Sequence, residues 1–109
     1  MSGHVITKVD VGSETFQKTY RKLPEDAKKE AKMALGELIL LDVTKAPAKL
    51  HLHHLTDKQV KSAVDPKKKV NVYTIHLTKN DKFKASFTFE DGTAYMRVAG
   101  EHDWVDDHP

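Results

Sequence analysis

The chain has 109 residues, 39% hydrophobic and 31% charged, with a formal net charge of +2. That suits one domain with a modest core under a well-solvated surface. It has no cysteine, which excludes disulfide frameworks and thiolate metal sites and fits a reducing cytoplasm. The start, MSGHVITKVD, alternates and carries charge, unlike a signal peptide. No apolar run approaches the ~20 residues that a bilayer-spanning helix needs.

HVITKVDV, residues 4–11, is β-branched and roughly alternating, which predicts a first strand. Ser13 then offers an N-cap, with Glu14 in the first helical turn. Phe16, Tyr20 and Leu23 recur as one face of a short helix, which Pro24 closes. Ala27, Ala31, Ala34, Leu38 and Leu41 step by 4, 3, 4 and 3 residues, an apolar stripe that predicts a second helix running down before Pro47. A basic loop follows. VNVYTIHL (residues 70–77) and FKASFTFE (83–90) read as strands joined by TKNDK. Asp91-Gly92 is a hairpin turn into a third strand, TAYMRV (93–98). Tyr73, Ile75, Leu77, Phe83, Ala85, Phe87, Phe89, Ala94, Met96 and Val98 should face the helices. Thr74, His76, Lys84, Ser86, Tyr95 and Arg97 should form an open polar face. The expected fold is α+β, in the order β-α-α-β-β-β, with two N-terminal helices on one face of a small antiparallel sheet, all in a single domain spanning residues 1–109.

Charge is segregated. From Lys58 to Lys84 there are eight lysines against two aspartates, and from Glu90 onward six acids against one arginine. A basic stripe is the footprint of a polyanion ligand, although a solvated lysine-rich loop would look the same. Histidine is concentrated too: KLHLHHLTDK carries His51, His53 and His54 out of seven in the chain. Such a cluster suggests proton transfer or a metal. For the metal, His51 and His53 would point the same way from a strand, with His102 and Asp103 as further ligands. The chain has no zinc motif such as His-Glu-x-x-His.

Four segments together resemble the RelE/ParE superfamily of bacterial toxins from toxin–antitoxin pairs. These are FQKTYRKLPEDAKKEAKMAL, LHHL, VYTIHLTKNDKFKASFTFEDG and MRVAGEHDW. The resemblance implies two helices on a curved antiparallel sheet, a cytoplasmic toxin, a cognate antitoxin as partner and, for many members, cleavage of mRNA on the ribosome. His76 and Lys84 match basic catalytic positions of that family, His102 matches the one after the last strand, and His53 matches the histidine of a histidine-rich branch. Asp81 lies near that branch's catalytic acid, in a hairpin about one residue longer. The chain departs from the family at Lys84, where arginine is frequent, at Trp104, where a tyrosine is frequent, and at Thr74, a lysine in some members. These departures weigh against the lysine-and-arginine mechanism and leave the histidine one.

In that mechanism the substrate's 2′-hydroxyl attacks the adjacent phosphate. A base removes its proton, an acid protonates the leaving 5′-oxygen, and cations steady the phosphorane. His53 and His102 are the expected acid–base pair, with His76 as an accessory donor and Lys84 on the phosphate. Lys58, Lys61, Lys67, Lys68, Lys69 and Arg97 would hold RNA phosphates, and Trp104 would stack on a base. No cofactor, metal or membrane is expected. The alternative is a ParE-type inhibitor of DNA gyrase, a non-enzymatic binder on the same fold.

Overall fold

The computed structural model describes residues 4–44 and 50–109. Their elements are β1 (Lys8–Asp10), α1 (Glu14–Arg21), α2 (Glu25–Glu37), β2 (His53–Lys61), β3 (Lys69–His76), β4 (Phe83–Glu90), β5 (Thr93–Glu101) and α3 (His102–Asp107). The fold is thus α+β, built on a five-stranded sheet in the order β1-β5-β4-β3-β2.

The helices begin where their sequence signals lie. The Phe16 amide donates to Ser13 Oγ at 3.4 Å, so Ser13 caps α1. Pro24 precedes α2 without a side-chain cap, and Glu25 and Asp26 sit in its first turn. Phe16, Leu23, Ala27, Ala31, Ala34 and Leu38 are buried against Ile75, Leu77, Ala85, Phe87, Ala94 and Met96 of the sheet side. α2 ends at Glu37, earlier than Pro47 required, and Leu40 turns the chain with φ 73°. Pro47 itself lies outside the described residues. Two hydrogen bonds tie α1 to its neighbours. Tyr20 Oη donates to the Lys28 carbonyl at 3.2 Å, and the Ala99 amide donates to Thr19 Oγ1 at 3.0 Å.

The sheet departs from the expected antiparallel one in four respects. β1 covers only Lys8–Asp10 and pairs with β5 in parallel, Lys8 opposite Thr93, so the sheet is mixed. β2 is an additional strand at the other edge. Its sequence, HHLTDKQVK, has no apolar alternation because most of it faces solvent, and an edge strand bearing lysines resists pairing with other chains. A bulge lies where Ser86 pairs with Val98 and Phe87 with Met96, which leaves Arg97 as the extra residue. The inward alternation on β5 therefore runs Ala94, Met96, Ala99, and Val98 turns to the face of Ser86.

The second face is not open. Thr74, Lys84 and Ser86, expected on an open polar face, are buried there together with Val72, Thr88 and Val98, the last expected to face the helices. α3 folds back after β5 and contributes Val105, which is fully buried. Val72, Val98 and Val105 stand outside the helix-side cluster and form the apolar part of this second layer. The Asp91-Gly92 hairpin behaves as its sequence demands, with φ 50° and 81° at the two central residues.

Candidate active site

The β3–β4 hairpin, the turn before β2 and the start of α3 meet at one end of the sheet. Register places His76, the last residue of β3, opposite Lys84. The hairpin turn puts Asp81 in the left-handed region at φ 59° and returns its carboxylate onto His76, Nδ1 to Oδ1 2.7 Å. His102 opens α3 as β5 ends, fixed by its amide donating to the Lys82 carbonyl at 2.9 Å. Its ring stands edge-on to His76, with centroids 5.5 Å apart. On the other side His51, held at φ 48°, stacks on His76 with centroids 4.6 Å apart and planes 17° apart.

Carboxylate partners fix the protons. A carboxylate only accepts, so Nδ1 of His76 donates to Asp81 and leaves its Nε2 lone pair for other work. His102 is arranged in the same way, Nδ1 lying 3.1 Å from Asp103 Oδ1 and 3.6 Å from Asp106 Oδ2. Burial pushes the His76 pKa below the ordinary 6.5. The hydrogen bond and charge of Asp81 oppose that shift, while His51 and Lys84 add to it. His76 is therefore a neutral imidazole at neutral pH.

Lys84 is nearly buried, and its Nζ bonds both Asp106 oxygens, at 2.9 and 3.2 Å. Lys58 Nζ donates to the Asp106 carbonyl. Arg97, its pKa lowered by burial, donates through Nε to the Pro109 carbonyl at 3.2 Å. The C-terminal turn thus occupies cations expected to face RNA. Trp104 is 41% exposed and stacks on His108 at 5.3 Å.

Of the residues expected from sequence, His76, Lys84 and His102 come together. His53 is exposed on β2 opposite Thr74, and no ring contact or hydrogen bond links it to His76 among the described residues. His51 takes the place beside His76 instead. Lys61 and Lys69 pair at the far end of the β2–β3 hairpin, with Lys67 and Lys68 in its loop. Lys69 and His76 are the two ends of β3, seven residue steps apart, about 23 Å at the rise of a strand. These lysines therefore stand far from His76 and Lys84, at the opposite end of the β2–β3 hairpin. Sequence reasoning missed Asp106, and it weighed His51 as a metal donor beside His53 rather than as the neighbour of His76. For Asp106 the only signal was the acidic tail. For His51 it was the cluster itself, read as a strand although the residue sits in a turn.

Chemically the cluster offers a neutral imidazole, a second imidazole within a ring's width and an ammonium across the strand pair. Two groups of donors also converge closely enough to hold a metal, His51 with His76 and Asp81, and His102 with Asp103 and Asp106. No protein-family model, no curated protein and no solved structure matches this chain.

Proposed function

We propose that the chain is a metal-independent endoribonuclease, the toxin of a RelE/ParE-type pair that cuts mRNA on the ribosome and is held by a cognate antitoxin. The observation that carries this reading is the pair of carboxylate-oriented imidazoles, His76 and His102, 5.5 Å apart beside Lys84. His76, neutral through burial, accepts the 2′-hydroxyl proton. His102 donates a proton to the departing 5′-oxygen. Lys84 faces the phosphorane charge once Asp106 yields it. Cleavage leaves a cyclic phosphate on one fragment and a 5′-hydroxyl on the other, and no cofactor is consumed. His53, the family-matched histidine, remains a candidate for substrate contact from the exposed edge of β2. RNA approaches from the rim made by His51, Asp81 and the start of α3, since α3 covers the sheet face.

The test is translation-dependent cleavage of a reporter message, read by mapping 5′ ends. His76→Ala and His102→Ala should each slow cleavage by ~10²-fold or more, the scale for losing a general acid or base. Circular dichroism controls for folding. Growth arrest that survives both substitutions would overturn the nuclease reading in favour of gyrase inhibition.

A further inference from the structure

We propose that His51, His76 and Asp81 form a binding site for a transition-metal ion of the zinc class, and that occupancy shuts the nuclease off. The inhibitory half rests on the nuclease reading, and the binding half stands alone. One donor atom from each of the three residues lies within 4.8 Å of the others. Ligands at ~2.0–2.1 Å around a tetrahedral zinc stand about 3.4 Å apart, so closing the site takes a rotation of the His51 ring out of its stack on His76 and shifts of about an ångström in the other two side chains. Two histidines and one carboxylate, with further positions open, are a donor set zinc accepts, and imidazole disfavours magnesium and calcium.

The backbone supports the same conclusion. His51 and Asp81 are both non-glycine residues in the left-handed region, one on each side of His76. Each conformation costs energy, and together they aim two donors at the third. All three residues line one cleft of about 350 Å³, together with Glu30, Glu37 and Lys79. The neighbouring group of His102, Asp103 and Asp106 is the poorer candidate. Its Asp106 carboxylate is engaged by Lys84, and Asp103 is almost wholly in solvent.

A metal shared by His76 and Asp81 replaces the proton between Nδ1 and the carboxylate, the ring proton moves to Nε2, and the lone pair that a general base needs is lost. Zinc therefore inhibits RNA cleavage, and chelation relieves the inhibition. No group is oxidised or reduced.

The experiment uses the full chain without a polyhistidine tag, stripped of metal and titrated with Zn²⁺, and separately with Mg²⁺, by calorimetry. Wild type should bind one Zn²⁺ in the micromolar range or tighter and no Mg²⁺. His51→Ala and Asp81→Asn should each weaken zinc at least ~10-fold, while His102→Ala should leave it within a few-fold. Because Asp81→Asn and His51→Ala could loosen the turns, a thermal melt of each variant in chelator confirms folding. Absence of saturable zinc binding overturns the site. So does binding unaltered by His51→Ala, or lost only with His102→Ala. Zinc binding without RNA cleavage would sink the nuclease reading and leave the metal site standing. Cleavage unaffected by saturating zinc would overturn the inhibitory half.

Discussion

His76 is a residue under opposed influences, and each can be removed separately. Burial lowers its pKa and the Asp81 carboxylate raises it, burial prevailing. In metal-free protein, imidazole resonances followed by NMR should show His76 titrating below 6.5. Asp81→Asn, which deletes the raising influence, should move that midpoint lower still. A midpoint that rises in Asp81→Asn would contradict the account. The linkage has a definite sign. The unfolded chain takes up a proton at this residue near 6.5, and the folded chain does so only at lower pH. Stability contributed here is thus intact above 6.5 and falls as pH drops through and below it. His76→Gln should flatten that acid-side fall in denaturant midpoints measured from pH 7.5 to 5. The face on which His76 stands was legible in sequence, because alternation and register fix it. The role of His51 was not, because a left-handed turn residue carries no periodic signal.

Among the elements, α3 has the largest effect on how the sheet can be used. It is six residues long, with one buried apolar side chain, Val105, so its docking depends on few contacts. Val105→Ala should cost about 2 kcal/mol, the transfer free energy of two methyl groups plus a partly relaxed cavity, read as a shift in urea midpoint. The Lys84–Asp106 pair behaves differently. Asp106→Ala strands a nearly buried ammonium and should destabilise by about 1–3 kcal/mol, whereas Lys84→Met with Asp106→Leu should recover most of that loss. Equal losses in the single and double variants would show that the pair is not coupled. α2 and the central strands were readable because their apolar periods are strong. β2 and α3 were not, the first being exposed on both faces and the second too short and acidic to show a stripe. The bulge at Arg97 defeated the alternation rule on β5 for a local reason, since one extra residue exchanges the faces of everything after it.

In the whole molecule, two layers flank one sheet, and the cluster of His51, His76, Asp81, Lys84 and His102 sits where both layers end. The order of the sequence elements gave the α+β class, and the described residues contain no helix long and apolar enough to cross a membrane. What composition could not show is that the sheet closes with its earliest strand beside its latest. Lys8, Val9 and Asp10 find their partners only in Thr93, Ala94 and Tyr95. Contacts so remote in sequence are slow to form, because the whole intervening chain must first be gathered in. The order of synthesis adds a second delay. A nascent chain folds from its N-terminus as it emerges, yet His102 and α3 are made after every other part of the cluster. Chains stalled on the ribosome short of residue 93 should leave β1 open to protease and show no protected sheet, and chains extended beyond α3 should become protected in one step. Early protection of residues 8–10 in stalled chains would contradict this. The cell that makes this protein thus has an interval, between translation of His76 and emergence of α3, in which the chain exists but its cluster does not.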